Sequence, residues 1–156
     1  MEGKVSIPFI DANIIMYTVG RQNRYKDPCS VLIRRIAEEN IVVASDTEVL
    51  QEILYRYWLI SEFERARETY SDFKTLISLM FPVTIDDVDL AFELLERHQT
   101  IQPRDAIHAA VMLNNGLTRI YSTDAHFDEI KGIERINPID LSTGSSKQRK
   151  WGWDVK

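Results

Sequence analysis

Short apolar runs alternate along this chain with stretches whose apolar residues return every three or four positions. Residues 5–10, 41–45, 81–85 and 119–123 read as strands, and 133–136 as a weaker fifth. Helical patterns fill the gaps. Phe63, Ala66, Tyr70, Phe73 and Ile77 share one face, predicting a helix over 62–79. Asp27 followed by Pro28 predicts an N-cap and a first helical residue, with the helix running to about Glu39. Asp86 is the expected cap of a helix over 87–97, with Asp87 and Asp89 in its dipole-favoured first turn. Pro103 opens a helix that reaches Asn115, and Gly116 ends it. The order is β-α-β-α-α-β-α-α-β-α-β. Strands alternating with helices imply an α/β fold, a parallel sheet covered on both faces.

The chain has 156 residues, 44% of them apolar, enough for one domain with a real core, expected over residues 1–141. Residues 142–156 are polar and carry Lys147, Arg149, Lys150 and Lys156 against Asp154, with Trp151 and Trp153 among them. They read as a loosely ordered tail, or as a basic-aromatic arm that stacks on single-stranded bases or docks on a partner subunit. Cys29 is the single cysteine, so no internal disulfide forms and a reducing compartment, the cytoplasm, is expected. No apolar run approaches the roughly 20 residues of a membrane span, and the start does not read as a signal peptide. A net charge of −5 argues mildly against nucleic acid, unless several acids ligate cations and reverse the local field.

Four carboxylates carry the candidate chemistry. Asp11 and Asp124 each follow an apolar run, at the C-terminal ends of two predicted core strands. In open parallel sheets ligand sites form at that edge. Either residue could instead cap a helix or close a turn. Glu52 lies on a helix that is apolar over most of its circumference, although Glu48, Glu52 and Arg56 at spacings of four also fit a solvated ion-pair ladder. Asp105 stands in the first turn of a helix that continues Ala106, Ile107, Ala109, Ala110, Val111, apolar almost all round. An acid there stabilises the helix dipole, but a partly buried one needs a partner or a metal. Acids gathered at one edge repel unless a cation lies between them, and Mg2+ and Mn2+ prefer oxygen ligands.

Other chemistries find no support. His98, His108 and His126 lack zinc spacing, and His108 reads as a packed or hydrogen-bonding histidine. No Gly-x-Ser-x-Gly elbow and no glycine-rich phosphate loop occurs. Arg21, Arg24 and Lys26 read first as a solvated loop, and otherwise as contacts to RNA phosphates. Tyr55, Tyr57, Trp58 and Phe63 belong either to the core or to an apolar patch suited to a dimer or an inhibitory partner.

Phe9-Ile10-Asp11-Ala12-Asn13-Ile14-Ile15-Met16-Tyr17, Val49-Leu50-Gln51-Glu52-Ile53-Leu54, Pro103-Arg104-Asp105-Ala106-Ile107-His108-Ala109-Ala110 and Tyr121-Ser122-Thr123-Asp124-Ala125-His126-Phe127-Asp128 resemble, in order and spacing, the four signatures of the PIN-domain family of metal-dependent nucleases. The likeness spans about residues 5–138. It implies a three-layer α/β/α sandwich with a five-stranded parallel sheet in order 3-2-1-4-5. It implies Mg2+ or Mn2+ and phosphodiester cleavage, usually of RNA, with Asp11, Glu52, Asp105 and Asp124 as the acidic quartet. Asp11, Asp105 and Asp124 would hold metal directly. Glu52, with Glu48 as competitor, would bind a second metal or orient water. Asn13 and Thr123 would orient the carboxylates by hydrogen bonds, and Asp128 and His108 are accessory candidates. The short form resembles the toxins of toxin–antitoxin pairs, which commonly form homodimers and are held inactive by a small antitoxin protein. The competing readings are a PIN-like module that binds RNA or protein without cutting, and a metal-dependent phosphatase of small esters.

Overall fold

A computed structural model describes residues 6–141, so the arm 142–156 and the first residue of the first expected strand lie outside the described residues. Five short strands, β1 (Phe9–Ile10), β2 (Ala44–Asp46), β3 (Leu79–Phe81), β4 (Arg119–Tyr121) and β5 (Glu134–Ile136), form one sheet in order β3-β2-β1-β4-β5. Every pairing is parallel. The helices are α1 (Ala12–Val19), α2 (Lys26–Glu38), α3 (Thr47–Leu59), α4 (Phe63–Leu76), α5 (Ile85–Arg97), α6 (Pro103–Asn114) and α7 (Pro138–Leu141), with a 3-10 turn at Ala125–Glu129.

The strand order explains the layers. From β1 the chain steps to β2 and then β3 in one direction, crossing through α1–α2 and α3–α4. It then returns past β1 to β4 through α5–α6. Crossovers between parallel strands are right-handed, so reversing the direction of travel puts the second group of helices on the opposite face. The reversal falls between β1 and β4, and at such a switch point the strand ends leave a crevice.

The core follows the apolar pattern. Phe9, Ile10, Ile120 and Ile136 are fully buried, as are Ala106, Ala109, Ala110, Val111 and Met112 of α6. Small residues on α6 let its backbone approach closely. That proximity carries the polar residues of its first turns to the sheet edge.

Several expected boundaries move. β1 and β2 are joined by two helices, because the Asp11 carboxylate accepts from Ala12 N at 2.7 Å and starts α1 directly behind the strand. α2 begins at Lys26, so Asp27 is a first-turn acid rather than the cap. β3 covers Leu79–Phe81 instead of 81–85, and α4 stops at Leu76. Pro82 has no N–H and cannot extend the ladder. Thr84, not Asp86, caps α5: its hydroxyl accepts from Asp87 N and the Asp87 carboxylate accepts from Thr84 N at 2.9 Å.

Candidate active site

Register brings the acids together. Phe9 pairs with Ala44 and Ile10 with Tyr121, so one residue past β1 the chain presents Asp11 level with Asp46 on one side and Ser122 on the other. Asp11 N donates to Tyr121 O at 3.1 Å, which holds the β1 and β4 ends side by side. The Asp11 carboxylate is nearly buried. Its Oδ2 accepts from Ser122 Oγ at 2.7 Å and from Asn13 Nδ2 at 3.1 Å. Ser122 Oγ also accepts from Asp124 N at 3.0 Å, so one hydroxyl ties the two strand-end acids together.

The opposite wall is built on His108, which is fully buried. Its Nδ1 lies 2.8 Å from Asp46 Oδ2 and its Nε2 2.8 Å from Glu52 Oε1, with Asp11 Oδ1 at 3.9 Å. An ionised carboxylate only accepts, so both ring nitrogens must donate and the ring is an imidazolium. Burial alone would lower the pKa of His108. The charge of Asp46, the hydrogen bonds to Asp46 and Glu52, and the charge of Asp11 outweigh it and hold the pKa well above the usual histidine value. Asp46 is itself pinned, since its Oδ1 accepts from Val49 N at 3.0 Å and caps α3. Glu52 therefore turns inward to α6, away from the ion-pair ladder that its spacing allowed.

Asp105 and Asp124 close the third side. Asp105 is 2% exposed, and its Oδ2 accepts from Gln102 N at 3.3 Å. Burial, followed by the charge of Asp124, pushes its carboxyl up to about 6, with Asp11 adding to the rise. Asp11 is raised too, by burial and against the lowering influence of His108, with Glu52 adding to the rise. Asp124 Oδ1 accepts from His126 N at 2.9 Å as the cap of the 3-10 turn. His126 Nδ1 lies 3.0 Å from the same oxygen and 3.8 Å from Asp105 Oδ2.

Five carboxylates (Asp11, Asp46, Glu52, Asp105 and Asp124) thus face a single imidazolium. Two sets of donor atoms stand out, Asp11 with Glu52 and His108, and Asp105 with Asp124 and His126; within each set the atoms lie within 4.8 Å of one another. His108 is not a free donor, because carboxylates already claim both of its nitrogens. The remaining oxygens suit a hard divalent cation, whose charge would offset the excess.

The structure brings Asp11, Glu52, Asp105 and Asp124 to one edge, and Asn13 Nδ2 donates to Asp11 Oδ2. Thr123 does not orient a carboxylate through its hydroxyl. β4 ends at Tyr121, and in the bend that follows Ser122 and Asp124 face the site while Thr123 contributes its N–H, to Asn13 Oδ1 at 3.3 Å. Asp128 is spent elsewhere, gripped by Arg135 at 3.0 and 3.1 Å, while a third Arg135 nitrogen reaches Ser122 O. Glu48 lies one turn before Glu52 and is raised by burial and by the charge of Glu52, yet it is Glu52 that reaches His108. Lys26 donates to Gly20 O, and Arg24 stacks over Tyr25, so local structure occupies both.

Sequence reasoning missed Asp46, Ser122 and His126. Asp46 stands one residue past the second expected strand, the same signal that singled out Asp11 and Asp124. Ser122 and His126 sit two residues either side of Asp124, on its own side of the chain.

The PIN domain family model matches residues 9–133. Ribonuclease VapC13 of Mycobacterium tuberculosis is 35% identical over 81% of this chain and 97% of its own length. Among solved structures, VapC20 of Mycobacterium tuberculosis, described as a sarcin-ricin loop cleaving toxin, superposes with TM-score 0.62 at 21% identity over 75% of this chain and 89% of that one. VapBC2 of Rickettsia felis, bound to a promoter DNA fragment, superposes with TM-score 0.65 at 18% identity, covering 84% of this chain and 99% of that one. These two likenesses, at such low identity, speak to the fold.

Proposed function

This chain belongs to the PIN-domain family, and on that premise we propose that it is a Mg2+- or Mn2+-dependent endoribonuclease, the toxin of a toxin–antitoxin pair. The observation that carries this reading is the convergence of Asp11, Asp105 and Asp124 from three separate elements, with more negative charge than His108 offsets.

Asp11, Asp105 and Asp124 would hold the ion. Ser122 and Asn13 fix the Asp11 carboxylate, and Gln102 N fixes that of Asp105, so the oxygens are set before substrate arrives. A divalent cation held there supplies Lewis acidity, lowering the pKa of a water and neutralising charge on phosphate oxygens. Glu52 keeps one oxygen on His108 and would offer the other to orient the attacking water. His108 stays charged and holds the Asp46 and Glu52 carboxylates in place.

RNA is the substrate class that the ribonuclease relatives suggest, and a small antitoxin is the partner suggested by the VapBC assemblies. Two apolar areas are available for an antitoxin and for a second copy in a homodimer. One holds Leu54, Trp58 and Phe63 on α3 and α4, and the other holds Ile85, Val88 and Phe92 along one stripe of α5. No helix among the described residues is long and apolar enough to cross a membrane. Cys29 is buried with its thiol pushed up to about 12 by burial, which keeps it unreactive.

Incubating purified protein with labelled RNA and Mn2+, with and without chelator, tests the proposal. Chelator-sensitive cutting supports it. RNA retained but uncut would favour a binding module, and phosphate release from a small ester with RNA untouched would favour a phosphatase.

A further inference from the structure

We propose that His126 is a nitrogen ligand of the metal site, completing it with Asp105 and Asp124 and tilting its preference from Mg2+ toward Mn2+. This rests on the metal-dependent reading above and deepens it by assigning a donor that the acidic quartet does not include.

Three observations carry it. First, His126 Nδ1 is a buried side-chain nitrogen with no hydrogen-bond partner among the described residues. It lies 3.0 Å from Asp124 Oδ1 without the alignment of a hydrogen bond. Buried polar atoms are nearly always satisfied, so an orphan beside two carboxylates points to an absent partner. Second, the spacing suits shared coordination. Two adjacent donors around an octahedral ion at about 2.1 Å stand about 3.0 Å apart, and two opposite ones about 4.2 Å. His126 Nδ1 is 3.0 Å from Asp124 Oδ1 and 3.8 Å from Asp105 Oδ2, within reach of one ion. Third, the ring is anchored at its base and open at its far side. His126 N donates to Asp124 Oδ1 at 2.9 Å, which fixes the backbone. The side chain is 44% exposed although Nδ1 is buried, so the rest of the ring faces water.

The two histidines of the site therefore differ in kind. His108 has both nitrogens committed to carboxylates and acts as a fixed cation. His126 has one nitrogen free and aimed at the acids. Imidazole favours first-row transition ions, whereas Mg2+ is served best by carboxylates and water. The sequence signal is the spacing Asp124-Ala125-His126, which a tight 3-10 turn folds so that both side chains face one point.

Pulsed electron paramagnetic resonance on the protein loaded with one equivalent of Mn2+ tests the assignment, since it detects nitrogen bound to the ion. The full chain should show nitrogen modulation that disappears in His126→Gln. By calorimetry that variant should lose Mn2+ affinity by at least the roughly 10–100-fold that loss of an outer-shell partner costs, with a smaller loss for Mg2+. Absence of nitrogen modulation in the Mn2+-loaded wild type, its retention in His126→Gln, or equal losses for both ions would overturn the assignment while leaving a metal site standing. Failure of the wild type to bind Mn2+ at all would overturn the metal-dependent reading with it. The 3-10 turn is capped through the His126 backbone, so the substitution leaves the fold intact.

Discussion

Replacing Asp105 by Asn should make the metal-free protein more stable at neutral pH while abolishing its activity. Asp105 is 2% exposed, and burial with the neighbouring Asp124 charge raises its carboxyl from 3.8 to about 6. A shift of roughly two units is worth up to about 3 kcal/mol at about 1.4 kcal/mol per unit. Screening by salt and water at the site mouth brings the expected figure to about 2 kcal/mol. The sign follows from proton linkage. Between pH 4 and 6 the folded protein binds more protons at this site than the unfolded chain, so this group's contribution falls as pH rises and levels off above about 6. Asn accepts the same Gln102 N–H and carries no charge. Urea unfolding in chelator across pH 4–8 should therefore show little difference at pH 4 and a gain of about 2 kcal/mol for Asp105→Asn at pH 7. Mn2+ at a hundredfold its dissociation constant should reverse the order, adding about 2.7 kcal/mol to the wild type only. An Asn variant less stable than wild type at pH 7 in chelator would refute the picture of mutually repelling carboxylates crowded at one edge.

Other consequences are equally open to measurement. Asp11→Asn should abolish RNA cleavage yet keep the native circular dichroism spectrum, because its side-chain oxygen can still accept from Ala12 N or Ser122 Oγ; undiminished cutting by the purified variant would count directly against the scheme. His108→Ala should cost about 3–5 kcal/mol in urea unfolding, since Asp46 and Glu52 would be left as unpaired charges; a loss under about 1 kcal/mol would show that they are not held as a pair of ion pairs. Glu52→Gln should lower the cleavage rate far more than Glu48→Gln, and the reverse order would transfer the role. Sedimentation should report a dimer that Trp58→Glu or Phe92→Glu disrupts; a monomeric wild type at tens of micromolar would remove the homodimer from the account.

Much of this arrangement was legible in the sequence because it depends on local rules. The strand-end position of Asp11 followed from an apolar run, and the sheet order from the family likeness; Asp124 instead lies three residues past β4, capping the 3-10 turn. Boundaries shifted where a single residue's chemistry overrode periodicity, as with Pro82 ending β3 and Thr84 taking the cap from Asp86. The link between Asp46, His108 and Glu52 was not legible. It joins residues 62 and 56 positions apart, and no periodicity reports which face of α6 meets the end of β2. Ser122 took the place expected of Thr123 because β4 ends at Tyr121, two residues sooner than the apolar run suggested, and the bend beyond it sets which of two adjacent hydroxyls faces inward.

Anomalous diffraction from a crystal soaked in Mn2+ tests the central claim most directly. The account predicts a manganese peak bounded by carboxylate oxygens of Asp11, Asp105 and Asp124, with His126 Nδ1 alongside. A well-diffracting, fully soaked crystal with no peak at that edge, or with manganese bound only elsewhere, would contradict it.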